Sequence, residues 1–462
     1  MKQRLLIYPV ISAIAIVFSI FFFLPWLSLI AFVPLLIALK NTSPKQNLVT
    51  AGIFSTLCGV LIYSWLLLAN LSSVESLFDN LLGVILSLTS FIIGITLVFI
   101  IWNRLTKSMF TSKSILILAS LFTFFEFIYD HITNTLPWHS FHFGNPLIGS
   151  IYTIQLAELG GIYILTFSVL LINGFVAYSI KQHKQLGLAS LVIGLFFTAN
   201  LLLFNINSTK APFNTEVKIN KLTPITSLGT LNDSNNKLTI GSLNIYSPTL
   251  NQQKENYKII NSAYLVNSRE TDSAIDDKVY LRIIEEEETL SKLKNQQPNH
   301  SFIVKPNLGK TKIEVDEIFI FNEAIIAPSA AELVKAGAQF LVSTNNDNRL
   351  ENAYLNRLFF YYNSLRAVEN RRDIAIKGNY SYIGKASANG ETLVINSKNT
   401  PLTSPLTLIK HSNTTLYSQY PYAFILFCKL LFVVVAFLIL IKSDEKIKSF
   451  KKINQKTPVE VF

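Results

Sequence analysis

Residues 160–204 read GGIYILTFSVLLINGFVAYSI, then KQHKQ, then LGLASLVIGLFFTANLLLF. Each apolar run is close to the roughly 20 residues with which a helix crosses a bilayer, and a short polar link joins them. This is the signature of two membrane helices and a tight basic loop. Working outward, similar runs recur at Leu5–Leu24, Leu27–Leu39, Leu48–Ala69, Leu81–Ile101, Ile115–Ile128 and Tyr422–Ile441. The expectation is eight spans, of which the second and fifth are short. Met1-Lys2-Gln3-Arg4 resembles the head of a signal peptide, but the run after it is too long for one and no Ala-x-Ala site follows, so it is read as a span.

Composition agrees. Of 462 residues, 50% are hydrophobic and only 15% charged, against about a quarter charged in soluble proteins. A wholly soluble enzyme and a disordered chain are both excluded. The basic residues then orient the chain. With the N-terminus inside, the inner segments carry fifteen Lys and Arg, from Lys2 to Lys456, while the short outer loops carry Glu75, Asp79, Asp130 and Glu158. That is the positive-inside pattern, and it places residues 205–421 outside with both termini inside. The outer segment holds 24 basic and 21 acidic residues, so the net charge of +11 reflects topology and lipid contact. Nucleic acid is excluded as a partner on this distribution.

Residues 205–236 are rich in Asn, Thr, Ser and Pro and read as a linker with little regular structure. Residues 237–421 read as one domain. Lys237–Ile245 alternates like a strand, and Tyr257–Val266 and Tyr280–Leu293 have helical spacing. His300–Val304, Asp316–Phe321 and Phe340–Ser343 have strand length. Pro328–Ala336 is a helix closed by Gly337, and Asn352–Arg371 a long helix. Ile374–Ile376, Ser381–Ala388 and Thr392–Asn396 are strands, with Asn389-Gly390 as a hairpin turn. This order predicts a layered α/β domain. Residues 422–441 return through the membrane and 442–462 form a basic tail.

The order of pieces resembles the apolipoprotein N-acyltransferase family. Pro25–Leu36 is similar to that family's second-span motif. Glu126, Leu136-Pro137-Trp138, Gly144, Gln155 and Gly160-Gly161 resemble its fifth-span end and following loop. Ile240–Ile245, Glu332–Val342 with Asn345-Asn346-Asp347, Arg366–Arg371 and Thr415-Leu416-Tyr417 resemble pieces of its soluble domain. The resemblance implies an eight-helix transmembrane bundle plus an external nitrilase-like α/β domain. It implies the inner membrane of a bacterium, a periplasmic domain and cytoplasmic termini. It also implies transfer of an acyl chain from a phospholipid to the N-terminal cysteine amine of a lipoprotein, without metal or cofactor. Membrane phospholipid and a lipoprotein N-terminus are the implied partners.

Such catalysis needs a cysteine thiolate, a glutamate base and a lysine for the oxyanion. Here the run matching the nucleophile is Ile320-Phe321-Asn322-Glu323, which keeps only the supporting Glu323. The run matching the base is Lys305-Pro306-Asn307, and the insert that carries the lysine is largely missing, with Lys310 and Lys312 unsupported by any motif. Both cysteines, Cys58 and Cys428, lie in apolar runs. Losing groups that act as a unit costs on the order of 10⁶ in rate. The resemblance therefore implies a homologue without catalysis that binds lipid or lipoprotein. The competing readings are an active acyltransferase with a displaced nucleophile and a plain membrane scaffold.

Five further features carry expectations. Glu323 and Glu369 read as structural carboxylates under a hollow site, with remnants of a polar site floor as the sharper alternative. His131, His139 and His142 read as interfacial histidines, with a metal site as the sharper alternative. Trp26, Trp65, Trp102 and Trp138 read as an aromatic belt. Lys429, inside the last span, either snorkels outward or pairs with Glu126. The run Glu285–Glu288 reads as a solvated helix face.

Overall fold

A computed structural model describes residues 2–68, 77–106, 111–133, 141–181, 186–209, 216–219, 221–222, 238–248, 257–267, 273–277, 318–320, 327–345, 353–378, 382–396 and 406–454. The N-terminal part is a helical bundle: α1 (Lys2–Phe22), α2 (Pro25–Ala31), α3 (Val33–Leu39), α4 (Pro44–Leu68), α5 (Leu77–Thr106), α6 (Ser112–Thr133), α7 (Ala157–Lys181) and α8 (Leu186–Thr209). Among the described residues six helices, α1 and α4 to α8, are long and apolar enough to cross a membrane. Two shorter apolar stretches, Pro25–Leu39 and Ala423–Leu438, accompany them. The chain is a membrane protein.

The second apolar run is two short helices, not one. Pro25 and Pro34 open them, and the joint falls at Phe32. A break inside a bundle frees backbone groups that lipid cannot satisfy. Asn173 on α7 meets this need. Its Oδ1 accepts from Phe32 N–H at 2.8 Å, and its Nδ2 donates to the carbonyls of Ser28 and Val169, each at 2.8 Å. Asn173→Leu should thus strand buried groups at the break and cost about 1–3 kcal/mol. A lowered melting temperature of the detergent-solubilised chain is the expected readout, and an unchanged one would discard this clamp.

The fifth span is longer than its apolar run suggests. The hydrophobic reading stops at Ile128, yet α6 continues to Thr133. Its last turns carry Glu126 and Tyr129, which are buried in the bundle, so polarity there marks an interior face. The bundle core is a set of phenylalanines in edge-to-face contact. Phe32 meets Phe143 at 5.1 Å and Phe122 at 5.8 Å, and Phe99 meets Phe122 at 5.3 Å.

Strands follow α8. Their order is β1 (Glu216–Ile219), β2 (Lys221–Leu222), β3 (Leu238–Pro248), β4 (Tyr257–Asn267), β5 (Ser273–Asp277) and β6 (Ile318–Ile320). Then come α9 (Ala327–Ala336), β7 (Leu341–Asn345), α10 (Ala353–Asn370), β8 (Ile374–Gly378), β9 (Ile383–Ala386), β10 (Thr392–Asn396), β11 (Leu406–Ile409), α11 (Leu416–Gln419) and α12 (Ala423–Asn454). One sheet runs β10-β9-β8-β7-β6, parallel across β6, β7 and β8 and antiparallel through the β8–β9–β10 meander. A second runs β2-β3-β4-β5, and β1 pairs antiparallel with β11.

Two expectations are corrected. Tyr257–Val266 is not a helix: Tyr257–Asn267 pairs antiparallel with Leu238–Pro248 over its whole length. Isoleucine, alanine and tyrosine three or four apart fit a helix face, but Tyr, Ile and Val are also strand formers, and pairing with β3 decides. The segment expected to carry little regular structure holds two short strands, β1 and β2, and its first residues belong to α8. The helix closed by Gly337 (φ +116), the long helix and the late hairpin with Gly390 (φ +91) lie where the spacing predicts. Tyr280–Leu293, His300–Val304 and Glu285–Glu288 lie outside the described residues.

Candidate functional site

Buried polar and charged side chains gather where the α/β module meets one end of the bundle. The backbone makes the first move. α7 is interrupted at its start, with Gly160 at φ −152° and Gly161 at φ +64°, ψ −152°. A helix restarted after such a break exposes unpaired N–H groups. The Ile162 N–H faces the carboxyl of Glu369, which descends from α10.

Glu369 is itself held from its own helix. Arg366, one turn earlier, pairs with its Oε2, and both side chains are fully buried. The Arg366 guanidinium lies 5.7 Å from the centre of the Tyr362 ring. Tyr362 Oη donates to Asn145 Oδ1 of the bundle at 2.9 Å. Thr415 opens α11 with a capping box. Its Oγ1 accepts from Ser418 N–H while Ser418 Oγ accepts from Thr415 N–H, each at 2.9 Å. The hydroxyl of Thr415 also donates to the Glu369 carbonyl. This cap sets Tyr417 in place, with its ring against Gly161.

Burial dominates the electrostatics here. It pushes the Glu369 carboxyl up to about 7, against the opposing charge of Arg366. Burial, with the Glu369 carboxylate beside it, lifts the Tyr417 phenol well above its ordinary value.

A second set of charges closes the seam. Arg371, at the end of α10 with φ +49, donates from Nε to Glu158 Oε2 at 2.6 Å. Its Nη1 donates to Gln155 Oε1 and to the Ala388 carbonyl, each at 2.9 Å. Gln155 Nε2 donates on to the Asn389 carbonyl in the hairpin at 2.8 Å. Asp373 follows: it accepts from the N–H groups of Ala388 and Ile409, each at 2.9 Å, and lies 3.3 Å from His411 Nε2. Burial alone would raise its carboxyl, but the bonds from His411, Ile409 and Ala388 outweigh it and hold Asp373 below its usual range.

Inside the bundle, Glu126 accepts from Phe143 N–H at 2.8 Å and from Thr166 Oγ1 at 2.6 Å, and Thr166 Oγ1 accepts from Gly144 N–H at 2.9 Å. Tyr163 Oη donates to Asp130 Oδ2 at 2.7 Å, and His142 Nε2 lies 3.1 Å from the same oxygen. Beside the seam a cleft of about 530 Å³ opens between Ser150, Tyr361, Ser364 and the hairpin residues Lys385, Ser387 and Leu393. That is within the size range of small-molecule sites. The Ser364 hydroxyl is already committed to the Gly390 carbonyl, at 3.0 Å.

The structure thus brings together Glu126, Gly144, Gln155, Gly160-Gly161, Arg366, Glu369, Arg371 and Tyr417. Glu369 is fully buried and paired with Arg366. Asn307, Phe321 and Glu323 lie outside the described residues, as do Lys310, Lys312, His139 and Trp138. Trp102 is not part of an interfacial belt. It is fully buried, with Nε1 donating to the Ser114 carbonyl at 2.8 Å. His142 is buried on Asp130, while His131 is exposed, with Nδ1 on the Phe127 carbonyl. Lys429 does not pair with Glu126, whose two oxygens are taken by Phe143 and Thr166; its amine sits over aromatic rings. Asp130, Tyr163 and Asp373 had no motif to announce them. The run Arg371-Arg372-Asp373 directly after a long helix was the one available signal.

Both cysteines are fully buried in helices, Cys58 in α4 and Cys428 in α12. The groups assembled here hold charge and hydrogen bonds between bundle and module, which makes this a joint with a cleft beside it. In comparison with known proteins, residues 12–175 match the family described as the apolipoprotein N-acyltransferase N-terminal domain. No curated protein matches the chain.

Proposed function

Because its membrane region belongs to the apolipoprotein N-acyltransferase family, we propose that this chain is a lipoprotein-maturation protein that has kept the family's architecture and given up its reaction. In this reading eight helices span a bacterial inner membrane. Residues 1–204 supply seven of them and 422–441 the eighth. Residues 205–236 link to a nitrilase-like periplasmic module at 237–421, and both termini are cytoplasmic. The parallel β6–β7–β8 core with α9 and α10 between its strands supports an α/β module of that kind.

One observation carries the loss of catalysis: the chain's only two cysteines lie buried in bundle helices. A thioester needs a thiolate that both lipid and acceptor can reach. The residues matching the nucleophile and base, Phe321 and Asn307, have no atom suited to either role. The module then binds phospholipid or a lipoprotein N-terminus without transferring the acyl chain. Expressed in cells depleted of their own apolipoprotein N-acyltransferase, the chain is expected not to restore growth. Growth restored to the level given by an active enzyme would overturn the inactive reading and favour a displaced nucleophile.

A further inference from the structure

We infer that Lys429 and the aromatic side chains beneath it form a binding site for the phosphate of a membrane phospholipid, on the lipid-facing flank between α6 and α12. Lys429 lies almost two turns into α12, about 9 Å along the axis from Ala423 at 1.5 Å per residue. Its side chain is exposed. So are its apolar neighbours Leu426, Phe427, Leu430 and Val433, each more than half exposed. In a membrane protein such a face meets lipid, so this cation is presented to lipid and not to the bundle interior.

The ammonium has a defined seat. Nζ lies 5.2 Å from the ring centre of Phe124 and 5.4 Å from that of Phe127, both on α6. Phe127 is braced in turn by His131 at 4.3 Å and by Tyr422 at 5.8 Å. Two ring faces fix the position but neutralise no charge. No carboxylate among the described residues pairs with Lys429, and Glu126 is turned inward on Phe143 and Thr166. A cation at membrane depth is costly without a counter-charge. Phe127 meets Tyr422 just before α12 begins, so the long side chain carries its ammonium toward the headgroup level, where the anion on that face is a phospholipid phosphodiester. It would accept a charge-assisted hydrogen bond from the ammonium, while its acyl chains lie along Phe427, Leu430 and Val433.

The inference deepens the lipid-binding part of the proposed function and does not depend on whether the α/β module catalyses. Purified full-length protein is titrated with phosphatidylglycerol, phosphatidylethanolamine and diacylglycerol, and retained lipid is counted by native mass spectrometry. Both phospholipids are expected to be retained and diacylglycerol not. Lys429→Gln should weaken retention about tenfold, the worth of one hydrogen bond between charged groups, while Lys429→Arg keeps it. Excess inorganic phosphate should not displace the lipid. Equal retention by Lys429→Gln at an unchanged melting temperature, equal binding of diacylglycerol, or displacement by inorganic phosphate would each overturn the site. The complementation result is read separately, so failure of one leaves the other standing.

Discussion

Arg366→Leu is expected to destabilise the seated α/β module by about 3–5 kcal/mol, the cost of breaking a buried ion pair from one side. The physical ground is complete burial of both partners. Removing the guanidinium leaves the Glu369 carboxyl with no counter-charge, facing the Ile162 N–H, and also removes the cation from the Tyr362 ring. Replacing both residues together, Arg366→Met with Glu369→Leu, should recover most of the loss, because an apolar pair of similar volume has no charge to desolvate. Thermal unfolding of the full chain in detergent at pH 8, above the value of about 7 to which burial raises Glu369, reads both variants with the parent pair ionised. A loss below about 1 kcal/mol for Arg366→Leu, of the size seen for exposed pairs, would contradict the joint.

The same pair sets a pH dependence. Burial raises Glu369 from an ordinary value of 4.5 to about 7 in the folded chain. Between those values the folded state holds a proton that the unfolded state has released. The contribution of Glu369 is therefore fully present below about 4.5 and is lost as pH rises through about 7. The melting temperature should fall between pH 5 and 8, and Glu369→Gln should flatten that fall. A melting temperature that rises over this range in the parent and not in the variant would reverse the assignment.

The spans were legible because lipid imposes one simple demand, a long apolar run. The places where that reading fell short are those where the bundle buries polar groups. α6 carries Glu126 and Tyr129 inward, and Phe32 splits the second run because Asn173 can satisfy the freed N–H. Neither is visible in a hydropathy count. In the α/β module, Tyr257–Asn267 fitted two periodicities, and only its partner strand could choose between them. Tyr362 bonds to Asn145 across 217 positions of sequence and Arg371 to Gln155 across 216. Local patterns carry no information about such partners. The resemblance had marked Gln155, Arg366, Glu369 and Arg371 as notable residues. Their role as a joint follows only from their being brought together.

Gly161→Ala is expected to cost about 2–4 kcal/mol, combining backbone strain with overpacking. At φ +64° and ψ −152° the backbone sits in a region that favours glycine. An added Cβ would fall 2.5 Å from Tyr417 Cε2 and 3.0 Å from Glu369 Oε1. Neither neighbour can yield easily: Tyr417 is fixed by the Thr415–Ser418 cap and Glu369 by Arg366. Gly187→Ala is the control, since nothing lies within 4 Å of a Cβ there, and it should leave the melting temperature unchanged or slightly raised. If the helix break, Tyr417 and the Arg366–Glu369 pair form one unit, Gly161→Ala and Arg366→Leu act on the same contacts. Their combined effect in thermal unfolding should then fall short of the sum by more than the 0.3–0.5 kcal/mol scatter of independent sites. Strict additivity would mean that the break in α7 and the buried pair are separate features that merely adjoin.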